Sequence, residues 1–392
     1  MKRKLLSLLG ASVFFFACGD ETSPTAVKQN DQKQPVVENT AVAVDYSAGR
    51  AMNKRLGYGI NLGNSWESAG GGINQHTDAG WGNPIQDGDF KIIKDAGFNS
   101  VRIPVRWQYD SDYNTHTLNQ MRLDSVKKDV SLAIEQGLAV LLDFHHYTEL
   151  NELGSEASKG NAEALVEFEE ERAHFNALWA QIAQEFESFP DSMLAYDILN
   201  EPTIPSADLV NEIYTGAYEV IRKNAPGKTI VFESNQAAKF AQLEILKLPQ
   251  DGNIIFSGHY YEPYNYSHQG HSDMYKCYGD ANYDNIALSQ FKSYVSLAQK
   301  LYPDVNGGHV PMNIGEFGIS GPTGPCGNKG PSDAKKALWA RLTVEAAEKY
   351  EMSWHYWGFT LAGGFEAYNR SGDTWYPFFP EFLTGKTVEA AN

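Results

Sequence analysis

This 392-residue chain has three cysteines, an excess of acid over base and no unbroken apolar run of membrane-spanning length. Thirty-two Lys and Arg against 49 Asp and Glu leave a formal net charge of −17. That balance argues against nucleic acid and anionic membrane surfaces as partners, because both recruit proteins through clustered basic residues. No Gly-rich phosphate loop follows the first strand-like run, which disfavours an open nucleotide-binding sheet. The first such run also carries no H-x-H motif and the last ends in no carboxylate, so the strand-end histidines lack a ready set of metal co-ligands.

Aromatic residues are plentiful, at 12% of the chain, and 42% of residues are hydrophobic, enough for a sizeable core. Residues 1–17 read as an export leader, with Lys2, Arg3 and Lys4 ahead of the short apolar stretch Leu5–Phe16. Ala17-Cys18 is similar to a lipoprotein cleavage junction, although Phe15 and Phe16 depart from the usual pattern. Cys18 is therefore a lipidation candidate and ordinary leader cleavage the alternative. Loss of the three leader cations would take the charge to −20. Residues 18–46 are polar and aperiodic, the composition of a flexible tether. Cys277 and Cys326 remain as an even pair in an oxidising compartment, where a disulfide is expected.

From residue 47 to 392 no second linker or repeat interrupts the chain, so a single domain is expected. Continuous apolar runs at 58–63, 100–105, 139–146, 194–201, 229–235, 254–262, 312–318 and 353–360 read as strands covered on both faces. Amphipathic stretches at 90–96, 122–136, 164–186, 207–223, 286–301 and 334–350 alternate with them. Eight strands with helices between them predict an α/β fold, a (β/α)8 TIM barrel of the catalytic kind. In such a barrel chemistry gathers at the carboxyl ends of strands. Those ends carry Asn61 and Asn64, Arg102, His145 and His146, Asn200 and Glu201, His259 and Tyr261, Glu316 and Trp357.

Glu201 closes M-L-A-Y-D-I-L-N-E-P and Glu316 closes the run in P-M-N-I-G-E-F-G. Apart from Glu262 they are the only acids that terminate predicted strands. Carboxylates at the ends of buried strands are costly unless used. Two carboxyl groups about 5–5.5 Å apart can cleave a glycosidic bond with retention, one attacking the anomeric carbon and one protonating the leaving oxygen. Each has a plainer alternative: Glu201 can satisfy N–H groups at a helix start before Pro202, and Glu316 can pair with Arg102. The two together favour catalysis, because two buried acids in one site need a reason.

The motifs G-I-N-L-G-N-S-W-E, V-R-I-P-V-R-W, D-F-H-H-Y-T-E-L, I-L-N-E-P, H-Y-Y-E-P-Y-N-Y-S-H-Q-G, I-G-E-F-G and S-W-H-Y-W-G-F occur in that order from Gly59 onward. In these the chain resembles glycoside hydrolase family 5, bacterial endo-β-1,4-glucanases above all. The resemblance implies Glu201 on strand 4 as acid/base and Glu316 on strand 7 as nucleophile. It also implies Arg102 and Tyr261 as partners of the nucleophile, His259 beside the acid/base and Asn200 on the sugar 2-hydroxyl. Asn64, Glu67 and His268 match weaker glycone-binding positions. By that analogy the protein needs no cofactor and acts on a β-1,4-linked polysaccharide; it is expected to be a monomer, and the leader and Cys18 place it at the cell envelope or outside the cell.

An ionised Glu316 is expected to raise the pKa of Glu201 by like-charge repulsion. Successive strand residues face opposite ways, so His145 and His146 are read as sugar-hydroxyl binders rather than ligands of one metal ion. Trp357 is the expected sugar platform, since an indole buries the apolar face of a pyranose. Trp179, Trp339 and Trp354 are assigned to the core, and Trp66, Trp81 and Trp107 to rim loops that can line a cleft. Two rim segments, Gly70–Gly80 and Pro322–Gly330, depart from the relatives and leave β-mannan or xyloglucan open as substrates. A non-catalytic glycan-binding surface protein is the alternative of another class, disfavoured because binding alone would not need both glutamates.

Overall fold

The computed structural model describes residues 41–68, 77–281 and 285–387. The leader, Cys18, the tether as far as residue 40 and most of the Gly70–Gly80 insertion lie outside them. Eight parallel strands form the sheet: β1 (Tyr58–Asn61), β2 (Ser100–Val105), β3 (Ala139–Phe144), β4 (Leu194–Asp197), β5 (Thr229–Glu233), β6 (Ile254–Tyr260), β7 (Met312–Phe317) and β8 (Ser353–Tyr356). Each pairs with its sequence neighbours and β8 returns to β1, so the sheet closes into a (β/α)8 barrel as expected.

Helix α1 (Ser47–Leu56) precedes β1, and the crossovers include α2 (Asp89–Asp95), α3 (Gln120–Glu135), α4 (Thr148–Ser158), α5 (Ala162–Glu185), α6 (Ala207–Asn224), α7 (Ala287–Leu301) and α8 (Asp333–Lys349). Local chemistry sets their starts. Asn161 accepts N–H bonds from Glu163 and Ala164 ahead of α5, and the Ser206 and Ser332 hydroxyls do the same for α6 and α8. Between β5 and β6 a 3-10 turn, Phe240–Ile245, takes the place of a full helix.

The period of two along each strand sorts side chains into two sets. Outward residues such as Val101, Val140, Leu142, Tyr196, Ile230, Phe256 and Ile314 join the main core under the helices. Inward residues change character with height. Near the floor, Ala139, Leu141, Ala195, Val231 and Ile255 form a separate apolar cluster with Met52 and Leu56 of α1, which covers that end of the barrel. One inward step higher, Leu141 gives way to Asp143, Ala195 to Asp197 and Val231 to Glu233, all fully buried.

Two boundaries differ from expectation. Residues 44–46, read as tether, pack onto the folded unit: Val44 bridges Asp304 and Tyr46 is 0% exposed within the main core. The strands also stop earlier than their apolar runs, β3 at Phe144 and β4 at Asp197. The ladder ends where the chain turns over the rim, so His145, His146, Asn200 and Glu201 lie just beyond it.

Candidate active site

Arg102 rises into the top of the barrel from β2 and is fully buried. Nη1 donates to Glu316 Oε1 at 3.0 Å and to Asn61 Oδ1 at 3.1 Å, and Nη2 donates to Asn200 Oδ1 at 2.7 Å. Nη2 also lies 3.0 Å from Glu233 Oε1 and from Asp143 Oδ2, and Nε reaches Asp197 Oδ2 at 3.1 Å. One guanidinium thus binds groups from β1, β3, β4, β5 and β7. Burial opposes its charge, but the surrounding carboxylates outweigh that and raise its pKa well above the usual value. The same burial pushes Asp143 and Asp197 well above the carboxylate range despite Arg102.

Glu316 reaches this cation through an irregularity in β7. Gly258 pairs with Ile314 but His259 pairs with Glu316, so Gly315 is an extra residue in the ladder. Regular alternation from inward Asn313 would turn Glu316 outward; the bulge restores it to the lumen. There Tyr261 donates its hydroxyl to Glu316 Oε2 at 2.8 Å. Burial lifts the Glu316 pKa, His259 and Arg102 pull it down, and Glu201 and Glu233 add to the lift, leaving it raised.

Glu201 is aimed by its own backbone. Its φ of 49° lies in the left-handed region, which lets consecutive Asn200 and Glu201 both turn toward the site. The backbone N–H of Glu201 donates to Glu233 Oε2 at 2.8 Å, and its side chain is 25% exposed. His259 stands between the acids, with Nδ1 2.8 Å from Glu201 Oε1 and 3.6 Å from Glu316 Oε2, and Nε2 3.0 Å from Glu233 Oε1. This arrangement corrects the expected charge balance. Burial opposes ionisation of Glu201, but the His259 hydrogen bond and charge outweigh it, so its pKa is lowered rather than raised. Burial likewise opposes protonation of His259, and Glu233 followed by Glu316 raises it well above the usual imidazole range. The proton expected on Glu201 therefore favours His259, whose Nδ1 is 2.8 Å away.

Potential ligand atoms of Glu201, His259 and Glu316 all lie within 4.8 Å of one another, the only such set of three among the described residues. These three could hold a cation, but Arg102 already supplies a fixed positive charge 3.0 Å from Glu316. The bound also limits the distance between the nearest oxygens of the two carboxylates. Oxygens no more than 4.8 Å apart fit the close pair of a retaining glycosidase better than the about 6.5–9.5 Å of an inverting one.

Trp357 is half-buried beyond β8, parallel to the His145 ring at 6.0 Å and 6°. Gly63 permits this position, since a Cβ there would fall 2.5 Å from Trp357 Cη2. His145 Nδ1 is 2.6 Å from Asp143 Oδ2. The face-alternation argument for the histidine pair fails: both follow the strand end, His146 has φ 48°, and their ring centroids are 4.0 Å apart. Burial lowers His145 well below the usual range and His146 to about 4, which keeps both rings neutral. Asn200 Nδ2 lies 3.2 Å from His146 Nδ1.

Glu67 holds its own loop. It is 1% exposed and accepts from the N–H groups of Asn64 and Ser65, while Asn64 Nδ2 donates to Leu361 O at 2.7 Å. Burial raises Glu67 to about 7. His268 stacks on Tyr264 with centroids 3.9 Å apart and meets the edge of Tyr261 at 5.0 Å, which places it beside the tyrosine that donates to Glu316. Cys277 and Cys326 form the expected disulfide, joining the loops after β6 and β7. Trp179, Trp339 and Trp354 are core residues as expected. Trp66 and Trp107 are also buried, so they do not line the cleft; Trp66 donates to Asp129 and lies under Arg122, and Trp107 packs on Phe186. Trp81 alone of that trio is exposed, at 46%.

The sequence reading passed over Asp143, Asp197 and Glu233. Each is a lone acid on the inward period of an apolar strand, the signal that could have found them. Tyr214 of α6 was missed too; its hydroxyl donates to the Glu233 carbonyl at 2.7 Å.

A TIM barrel whose rim carries this glutamate pair, with an arginine below one and a histidine beside the other, is the scaffold of a glycoside hydrolase. The sequence profile of the cellulases, glycosyl hydrolase family 5, matches residues 64–363, and the chain belongs to that family. It is 27% identical over 410 residues to Endoglucanase A of Clostridium longisporum, covering 96% of this chain and 71% of that protein. Two structures of Thermotoga maritima Cel5A, one in complex with cellobiose and one with mannotriose, each superimpose with a TM-score of 0.70 at 28% identity. Each covers 86% of this chain and 99% of theirs.

Proposed function

We propose that this protein is a retaining endo-β-1,4-glucanase in which Glu316 is the nucleophile and Glu201 the acid/base. The observation that carries the assignment is the asymmetry of two close carboxylates. Glu316 receives fixed donors from Arg102 and Tyr261, while Glu201 is more exposed and bonded to the titratable His259. Glu316 attacks the anomeric carbon as the bond to the leaving oxygen breaks, and Glu201 gives that oxygen its proton. Glu201 then takes a proton from water, the water oxygen attacks the same carbon, and Glu316 leaves. The second N–H of the Asn200 amide is free to meet the sugar 2-hydroxyl, since Arg102 and His146 fix the rest of the group.

The preferred substrate is cellulose or mixed-linkage glucan, in keeping with the family and the endoglucanase relative. β-Mannan is the second reading, supported by the mannotriose complex of the Thermotoga protein. The basic and apolar residues before Cys18 support export and attachment to the cell envelope by a lipid on that cysteine. The test is Glu316→Ala together with proton NMR of the first product. Loss of hydrolysis with the fold intact and initial release of the β-anomer are expected. Substantial residual turnover, or an initial α-anomer, overturns the assignment. Parallel reducing-sugar assays on cellulose, mixed-linkage glucan, xyloglucan and mannan rank the substrates.

A further inference from the structure

We propose that Glu233 is a positioning residue for the acid/base half of the site, acting on Glu201 through both its backbone and the His259 ring. The inference rests on the acid/base reading of Glu201. Glu233 ends β5 and is fully buried. Its two oxygens have a clear division of labour. Oε2 accepts the N–H of Glu201 at 2.8 Å, and Oε1 accepts from Arg102 Nη2 and faces His259 Nε2, both at 3.0 Å.

The bond to Glu201 matters because that residue sits at φ 49°, a conformation a non-glycine side chain adopts only when its surroundings hold it. Glu233 supplies the anchor that keeps the backbone turned and the carboxyl aimed at His259. Its second effect is on the imidazole. An ionised carboxylate at 3.0 Å accepts but cannot donate, so Nε2 of His259 carries a proton and Nδ1 is left facing Glu201. The tautomer is thereby set. Nδ1 and Glu201 Oε1 hold one proton between them, on either atom, and no proton enters or leaves as it shifts.

Burial opposes the charge of Glu233, yet His259 and Arg102 hold its carboxyl at about 2, so it stays an acceptor throughout the neutral range. The other titratable groups near the ring are Glu316, neutral His145, Asp197, which burial pushes well above the carboxylate range, and Arg102, which shares Glu233 Oε1 with it. None of them contacts both the Glu201 backbone and Nε2.

The proposal predicts a defect that depends on the leaving group. Glu233→Gln replaces an acceptor with an amide whose NH2 faces donors at Glu201 or His259, and it removes the charge. On cellotetraose, whose leaving sugar needs a proton, kcat/KM is expected to fall about 100-fold, the lower end of what a general acid contributes. On 2,4-dinitrophenyl β-cellobioside, whose leaving group needs none, kcat/KM is expected to stay within about threefold of wild type. Equal losses on the two substrates, or no loss on either, overturn the proposal, since a merely structural role would not separate them. Glu201→Gln is the companion variant: if it lacks the same dependence, the acid/base reading has failed instead. A measurement on the unaltered protein guards against a variant that does not fold. Imidazole 15N shifts of His259 are expected to show Nε2 protonated from about pH 5 to 9, and a ring protonated only at Nδ1 overturns the proposal.

Discussion

Gly315→Ala tests the idea that the bulge in β7 and the His259 ring share a space with no slack. A Cβ at residue 315 would lie 2.9 Å from His259 Nε2, 3.1 Å from its Cδ2 and 3.1 Å from Ser257 Oγ. Relaxed contacts need about 3.5–4.0 Å, so the ring or the strand must shift by roughly 0.7 Å. The ring is held on both sides, 2.8 Å from Glu201 and 3.0 Å from Glu233, and a shift of that size compromises one of these bonds. Overpacking of this kind costs about 1–3 kcal/mol of stability. Misplacing a catalytic group by about 1 Å costs about 100-fold in rate. Gly315→Ala is therefore expected to fold with a modest loss of stability in urea and a kcat on cellotetraose lower by about 10- to 100-fold, with KM little changed. A variant with wild-type kcat would show that the ring has room to move, and the account of the site as tightly fitted would fail.

Two further substitutions probe the rim. Gly63→Ala would place a Cβ 2.5–2.9 Å from three ring atoms of Trp357 and tilt the indole; if that ring is the sugar platform, KM for cellotetraose rises about tenfold, the cost of roughly one lost stacking contact. An unchanged KM would remove Trp357 from the binding surface. Replacing both Cys277 and Cys326 with Ser opens a cross-link spanning 49 residues, for which loop entropy allows a loss of about 2–4 kcal/mol in chemical denaturation. A denaturation midpoint that does not move would mean the loops are held by packing alone.

The barrel was legible because a strand buried on both faces must be apolar throughout, and the runs from Val101 to Ile314 obey that rule. The residues at the strand ends were legible for the converse reason: Arg102, His259 and Glu316 have no business in such runs except at a site. What could not be read was geometry set by single backbone torsions. A period of two turns His145 and His146 apart and sends Glu316 outward, whereas left-handed φ at His146 and an extra residue at Gly315 reverse both outcomes. The pKa of Glu201 was misjudged because sequence shows two acids but not the imidazole between them. Loop position makes Trp66 and Trp107 candidates to line the cleft, and side-chain packing against Arg122 and Phe186 overrides it.

Arg102 has a consequence for how such a protein can change. Its guanidinium ties β2 to acids on β3, β4, β5 and β7 inside the lumen. The charges bound to Arg102 are anchored to the staves of the barrel, whereas Glu201 and Tyr261 stand just past the strand ends. The distal parts of the loops can then lengthen, shorten or be exchanged between relatives without disturbing the charge balance around Arg102. Taste in polymers can drift on this scaffold while the bond-breaking machinery stays still.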